Sequence, residues 1–227
     1  MTNVTGNDTN SLEIAVRDAV AEGGDVQEKV RQLTLRVISA RSLDIESVRQ
    51  AASAVLRGAQ AGVQKELQQS SAQTHLAGDS LKQAVSGLDI ALAQFAEAAK
   101  LAVEEASGRA KKYSSEDLKR ARSDLESLEA MFVETLQSSA SATKSAAGDI
   151  LHDLATHART NGSAVGRQMK ETLSVFTHHI GAAGRAQVDA TLHLAENTSN
   201  FMRQIAAGVL TGLADRIQPG HTKTKGK

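Results

Sequence analysis

Between Leu81 and Ala106 the apolar side chains fall at Leu81, Val85, Leu88, Leu92, Phe95, Ala99, Ala102 and Ala106, alternately four and three residues apart. That alternation keeps one face of a slightly under-wound helix against a partner along a single seam. Proline, the residue that most reliably stops a helix, occurs once, at Pro219, so the chain before it is free to be helical. A second run, Leu118, Ala121, Leu125, Leu128, Phe132, Thr135, Ser139, Ala142 and Ala146, carries the same alternation. Between the two lies a polar corner. Lys111 and Lys112 suit the C-terminus of one helix, and Ser114 with Asp117 is a capping side chain three residues before an acid, suited to the start of the next. The pattern predicts an all-α fold: an elongated antiparallel coiled-coil hairpin over residues 73–148, with a small N-terminal helical cap and a long C-terminal helix.

A reversal near Tyr113 and Ser114 sets a register. It places Phe95 opposite Phe132, Ala99 opposite Leu128, Ala102 opposite Leu125, Val85 opposite Ala142 and Leu81 opposite Ala146. Large side chains then meet small ones along most of the seam, which lets two helices keep an even, close spacing. The hairpin seam residues are therefore Leu81, Val85, Leu88, Leu92, Phe95, Ala99, Leu125, Leu128 and Phe132.

Aromatic residues make up 2% of the chain and tryptophan is absent, so alanine, leucine and valine must supply the burial. Residues 1–9 read as a disordered arm and 10–72 as short helices. Asn10 with Glu13 and Asp25 with Glu28 mark two helix starts, and Gly23-Gly24 separates them. Val26, Val30, Leu33 and Val37 form the stripe of the second helix; Ile45, Val48, Ala52, Val55 and Leu56 form that of a third. Residues 58–78 are rich in Gln, Ser and Gly and fit either a weak continuation of helix or a joint, and the Ser/Ala-rich stretch 137–148 suggests a bend.

Residues 149–218 read as a C-terminal amphipathic helix, followed by a basic tail at 219–227. Its stripe runs through Val165, Met169, Leu173, Phe176, Ile180, Gly184, Val188, Leu192, Ala195, Met202, Ile205, Val209, Leu213 and Ile217, mostly in steps of four. Such a stripe drifts away from a left-handed seam. Because the hairpin spends its seam on itself, Phe176, Ile180, Phe201, Met202, Ile205, Val209 and Leu213 are the expected surface-binding residues.

Signatures of chemistry are missing. The chain has no Gly-x-Ser-x-Gly elbow and no strand carrying a glycine-rich phosphate loop, and this predicts no enzyme, no catalytic residue and no cofactor. Asp149, Asp153 and His157, with His152 beside them, share a helix face and form the best candidate for a metal site. They lack the paired Glu-x-x-His elements of two-metal bundles and read as an exposed polar face, so no metal is expected. There are no cysteines, which excludes disulfides and thiolate sites and suits a cytoplasmic protein. No secretory signal and no membrane span is expected, since Ile205 to Ala214 is the nearest apolar window and is too short. Net charge is zero by count. Residues 151–227 nevertheless carry nine Lys and Arg against five Asp and Glu, spaced singly as on a solvated helix face, so nucleic acid is not an expected partner.

The span Leu88 to Ala142 resembles phasins, the bacterial proteins that coat polyhydroxyalkanoate granules. The resemblance rests on Ala/Glu/Lys-rich heptads, the Lys111-Lys112-Tyr113-Ser114-Ser115-Glu116-Asp117-Leu118 corner and the Leu/Phe stripe after it. More broadly, Val30 to Val165 is similar to an uncharacterised bacterial family of phasin-like helical proteins. Phasins usually carry Ser-Pro before the Glu-Leu of that corner and Gln-x-x-Phe after it, and this chain has neither. The resemblance implies a non-enzymatic coat protein of the bacterial cytoplasm, a homo-oligomer adsorbed to a polymer granule or lipid surface. The alternative is a helical scaffold or signalling partner that binds another protein through coiled-coil contacts.

Overall fold

The computed structural model describes residues 4–39, 45–69, 74–108, 115–143 and 146–186, and within them the chain forms eight α-helices. The first reversal is the one the glycines encode. Helix α1 (Val4–Glu22) ends at Gly23 and Gly24, whose φ angles of 71° and 78° are open to glycine at little cost, and α2 (Val26–Ser39) begins behind Asp25. The Asp25 carboxylate accepts the Glu28 amide at 3.4 Å, as its spacing predicts. Asn10, by contrast, starts nothing. It lies exposed within α1, which begins at Val4, inside the stretch expected to be a loose arm. The Asn10 and Glu13 pair lies in the middle of a helix, where Asn10 is exposed and the Glu13 carboxylate pairs with Arg57 of another helix.

Helix α3 (Ile45–Gln69) runs unbroken through Gly58 and Gly62, and residues 70–73 of the 58–78 stretch lie outside the described residues. Its glycines are contact points. A methyl group on Gly58 would lie 2.4 Å from the Glu13 carbonyl oxygen, and one on Gly62 would lie 2.6 Å from Val20 Cβ, so α1 and α3 cross closely because these two positions carry no side chain. Arg57 reaches Glu13 at 2.8 Å and Lys65 reaches Asp18 at 3.5 Å. Rising numbers on one helix meet rising numbers on the other, so α1 and α3 run parallel.

The same relation recurs across the molecule. Helix α4 (Thr74–Gly108) meets α2 through Gln27 and Ser86 at 2.8 Å and through Arg31 and Gln94 at 2.7 Å, again in parallel. Helices α5 (Ser115–Glu126) and α6 (Leu128–Ala142) make one arm interrupted only at Ser127, and α6 lies along α3 through Arg49 and Glu134 at 3.3 Å and Gln60 and Thr143 at 2.7 Å. Thr143 is extended, and after it the chain turns back into α7 (Ala146–Asn161) and α8 (Ala164–Ala186). This is the bend expected near 137–148.

Three helical hairpins are thus stacked in two layers, with α1, α3 and α5–α6 in one and α2, α4 and α7–α8 in the other. Stacked hairpin pairs bury a continuous core because each covers the apolar face of its neighbour. Here one core runs from Leu12 to Phe176 with residues from every helix, filled largely by alanine, leucine and valine. Of the four phenylalanines, Phe95, Phe132 and Phe176 lie in it.

The all-α expectation stands, but the seam closes differently from the expected hairpin. Leu81, Val85, Leu88, Leu92, Phe95 and Ala99 are all buried, as are Leu125, Leu128 and Phe132. They do not face one another as the register requires. Helix α4 packs between α2 and α8 with α3 across from it, whereas α5 and α6 pack on α8, α7 and α3 and are at most marginal neighbours of α4. Ala142 and Ala146, expected at the far end of the seam, are exposed. A heptad stripe announces that a helix has a partner without naming it, and α4 finds its hairpin partner in the preceding α3.

The long C-terminal helix is also interrupted. Helix α7 stops at Asn161, Gly162 takes φ 80°, and α8 starts afresh. No helix among the described residues is long and apolar enough to cross a membrane.

Candidate functional site

The α7–α8 joint is where polar groups from three helices converge. Gly162 turns the chain, and Ser163, buried, caps α8 by accepting the Gly166 amide on its hydroxyl oxygen at 3.0 Å. Two further amides of that first turn are taken by a carboxylate from another helix. Asp89, on α4, accepts the Ala164 amide at 2.7 Å and the Val165 amide at 2.9 Å. Glu129, on α6, accepts the Ser163 hydroxyl at 3.2 Å and lies over Gly166, where any Cβ would collide with its carboxylate. The free amides of a helix start carry partial positive charge, so carboxylates are the groups suited to meet them.

Burial pushes the Asp89 carboxyl above its ordinary value. The Val165 and Ala164 amides and the Arg167 charge oppose that rise, and the nearby Glu129 adds to it. Ser163 beside Glu129 superficially suggests a nucleophile with its base. The Ser163 oxygen, however, already accepts an amide as a helix cap while its proton goes to Glu129, so the pair builds a helix start. The carboxylate of Asp89 is likewise taken up by two amides.

A second polar group locks α2 to α4. Arg31 is 7% exposed; its Nε donates to Glu28 at 2.7 Å, a second guanidinium nitrogen pairs with the other Glu28 oxygen, and a third donates to Gln94 at 2.7 Å. The Arg31 guanidinium holds the Glu28 carboxyl below its usual range. Gly87 sits beside this group, and a Cβ there would lie 2.4 Å from the Gln27 carbonyl oxygen, so the two helices approach closely where the polar side chains fix their register.

The expected surface-binding residues divide. Phe176 is fully buried in the core and is therefore not part of an outward contact surface as expected. Its place in the four-step stripe with Val165 and Met169 turns it toward the other helices, since α8 packs on α4 and α5. The side chain of Ile180, and all of Phe201, Met202, Ile205, Val209 and Leu213, lie outside the described residues. Asp149, His152, Asp153 and His157 are exposed on α7, with His157 Nδ1 2.9 Å from Asn161. Among the described residues no group of three or more His, Asp or Glu side chains is placed to hold a metal ion.

Nothing in the sequence around Asp89 or Glu129 singles either out, and Ser163 carries only a local sign. That sign is the Asn161-Gly162-Ser163 run, a turn dipeptide followed by a capping residue. With the fold and this joint in place, comparison with known proteins matches residues 2–219 to a family model described as a family of unknown function, DUF6781. The chain belongs to DUF6781. The DUF6781 match covers all three hairpins and continues past α8. No curated protein and no solved structure matches this DUF6781 chain.

Proposed function

We propose that the protein is a non-enzymatic helical coat protein that self-associates and adsorbs to a hydrophobic surface, such as a polymer granule, through the apolar stripe of its C-terminal stretch. One observation carries this reading. The described helices turn their apolar stripes inward, and the large apolar side chains left exposed among them are Ile14, Leu76 and Leu101. Ile14 is on α1, and Leu76 and Leu101 stand 25 residues apart on α4, about 37 Å at 1.5 Å per residue, so those two form no shared patch. The remaining candidates for adsorption are Phe201, Met202, Ile205, Val209 and Leu213, whose spacing in the sequence is that of one helix face. The resemblance to granule-coating proteins supports the same surface chemistry.

The test is sedimentation of the full chain with bare hydrophobic particles, alongside a variant carrying Phe201→Asp, Ile205→Asp and Val209→Asp. Salt-insensitive adsorption that the triple variant loses, with its helical signal intact, supports the reading. Equal adsorption of both chains contradicts it. If neither adsorbs and one helical protein co-purifies instead, the scaffold alternative takes its place.

A further inference from the structure

We draw no further inference here: the strongest candidate, the carboxylate pair Asp89 and Glu129 closing on the N-terminus of α8, belongs to the joint already described, with the amides of Ala164 and Val165 and the hydroxyl of Ser163 taking up its oxygens and nothing in the structure pointing to a ligand.

Discussion

Asp89 holds Val165 by its backbone amide at 2.9 Å, across 76 residues of sequence. The contact ties the start of α8 to the middle of α4, and Thr172 continues the pairing farther along by donating to the Ala96 carbonyl at 3.1 Å. Both pairs keep the same offset, so α8 runs beside α4 in parallel.

Removing this clasp is expected to loosen α8. Asp89→Ala leaves two partly buried amides without acceptors, a loss of about 1–3 kcal/mol. Chemical denaturation should show it as a lower midpoint. An unchanged midpoint would mean that water serves those amides equally well.

The pH dependence of Asp89 has a definite sign. Its folded-state value is raised above the ordinary 3.8, so its contribution to stability is fully present below that value and is lost as pH rises through the raised folded value. Asp89→Asn cannot titrate. Wild type should therefore gain stability relative to Asp89→Asn as pH falls through this window, measured by urea unfolding at matched ionic strength. A gap that stays constant, or moves the other way, would place the titration elsewhere. Glu28 runs opposite: its value is lowered by Arg31, so the stability it contributes is present above the ordinary 4.5 and is lost as pH falls through its folded value.

Gly58→Ala and Gly62→Ala should destabilise the protein although alanine is the better helix former. The propensity gain is about 1 kcal/mol, against overpacking of about 1–3 kcal/mol where the new methyl meets the α1 backbone. The added Cβ at Gly58 faces the Glu13 carbonyl oxygen at 2.4 Å, and backbone cannot swing aside as a side chain can. A rise in the thermal midpoint of either variant would show that α1 and α3 are farther apart.

How much of this was legible in the sequence varies with the kind of signal. The Gly23-Gly24 reversal and the Asp25 cap were readable because backbone conformation and capping are local. That Leu88, Leu92, Leu125 and Phe132 are buried was readable from period. Their partners were not, because a stripe of leucine and alanine fits several facing stripes equally well and the choice is made by the whole stack. Helix α3 was obscured for a related reason: Gly58 and Gly62 looked like loosening of the helix when they are the places where α1 comes closest. Asp89 was invisible, since nothing local distinguishes an acid that caps a distant helix from one that faces water.

Phe176 separates two roles. As a core residue its replacement by alanine should cost about 3–5 kcal/mol. As an outward contact it would leave folding stability untouched and lower only adsorption. Denaturation of Phe176→Ala beside Phe201→Ala decides between them, with the large loss expected at Phe176.

The stacking of α8 on α4 can be measured directly, because the chain has no cysteine of its own to interfere. Lys100 and Glu171 lie across that interface at 3.7 Å, both reachable by solvent. A short thiol-specific crosslinker should join Lys100→Cys to Glu171→Cys within one chain, and should leave Ala99→Cys and Leu128→Cys unjoined. The reverse outcome, with residues 99 and 128 linked and 100 and 171 apart, would restore the hairpin and contradict the stack.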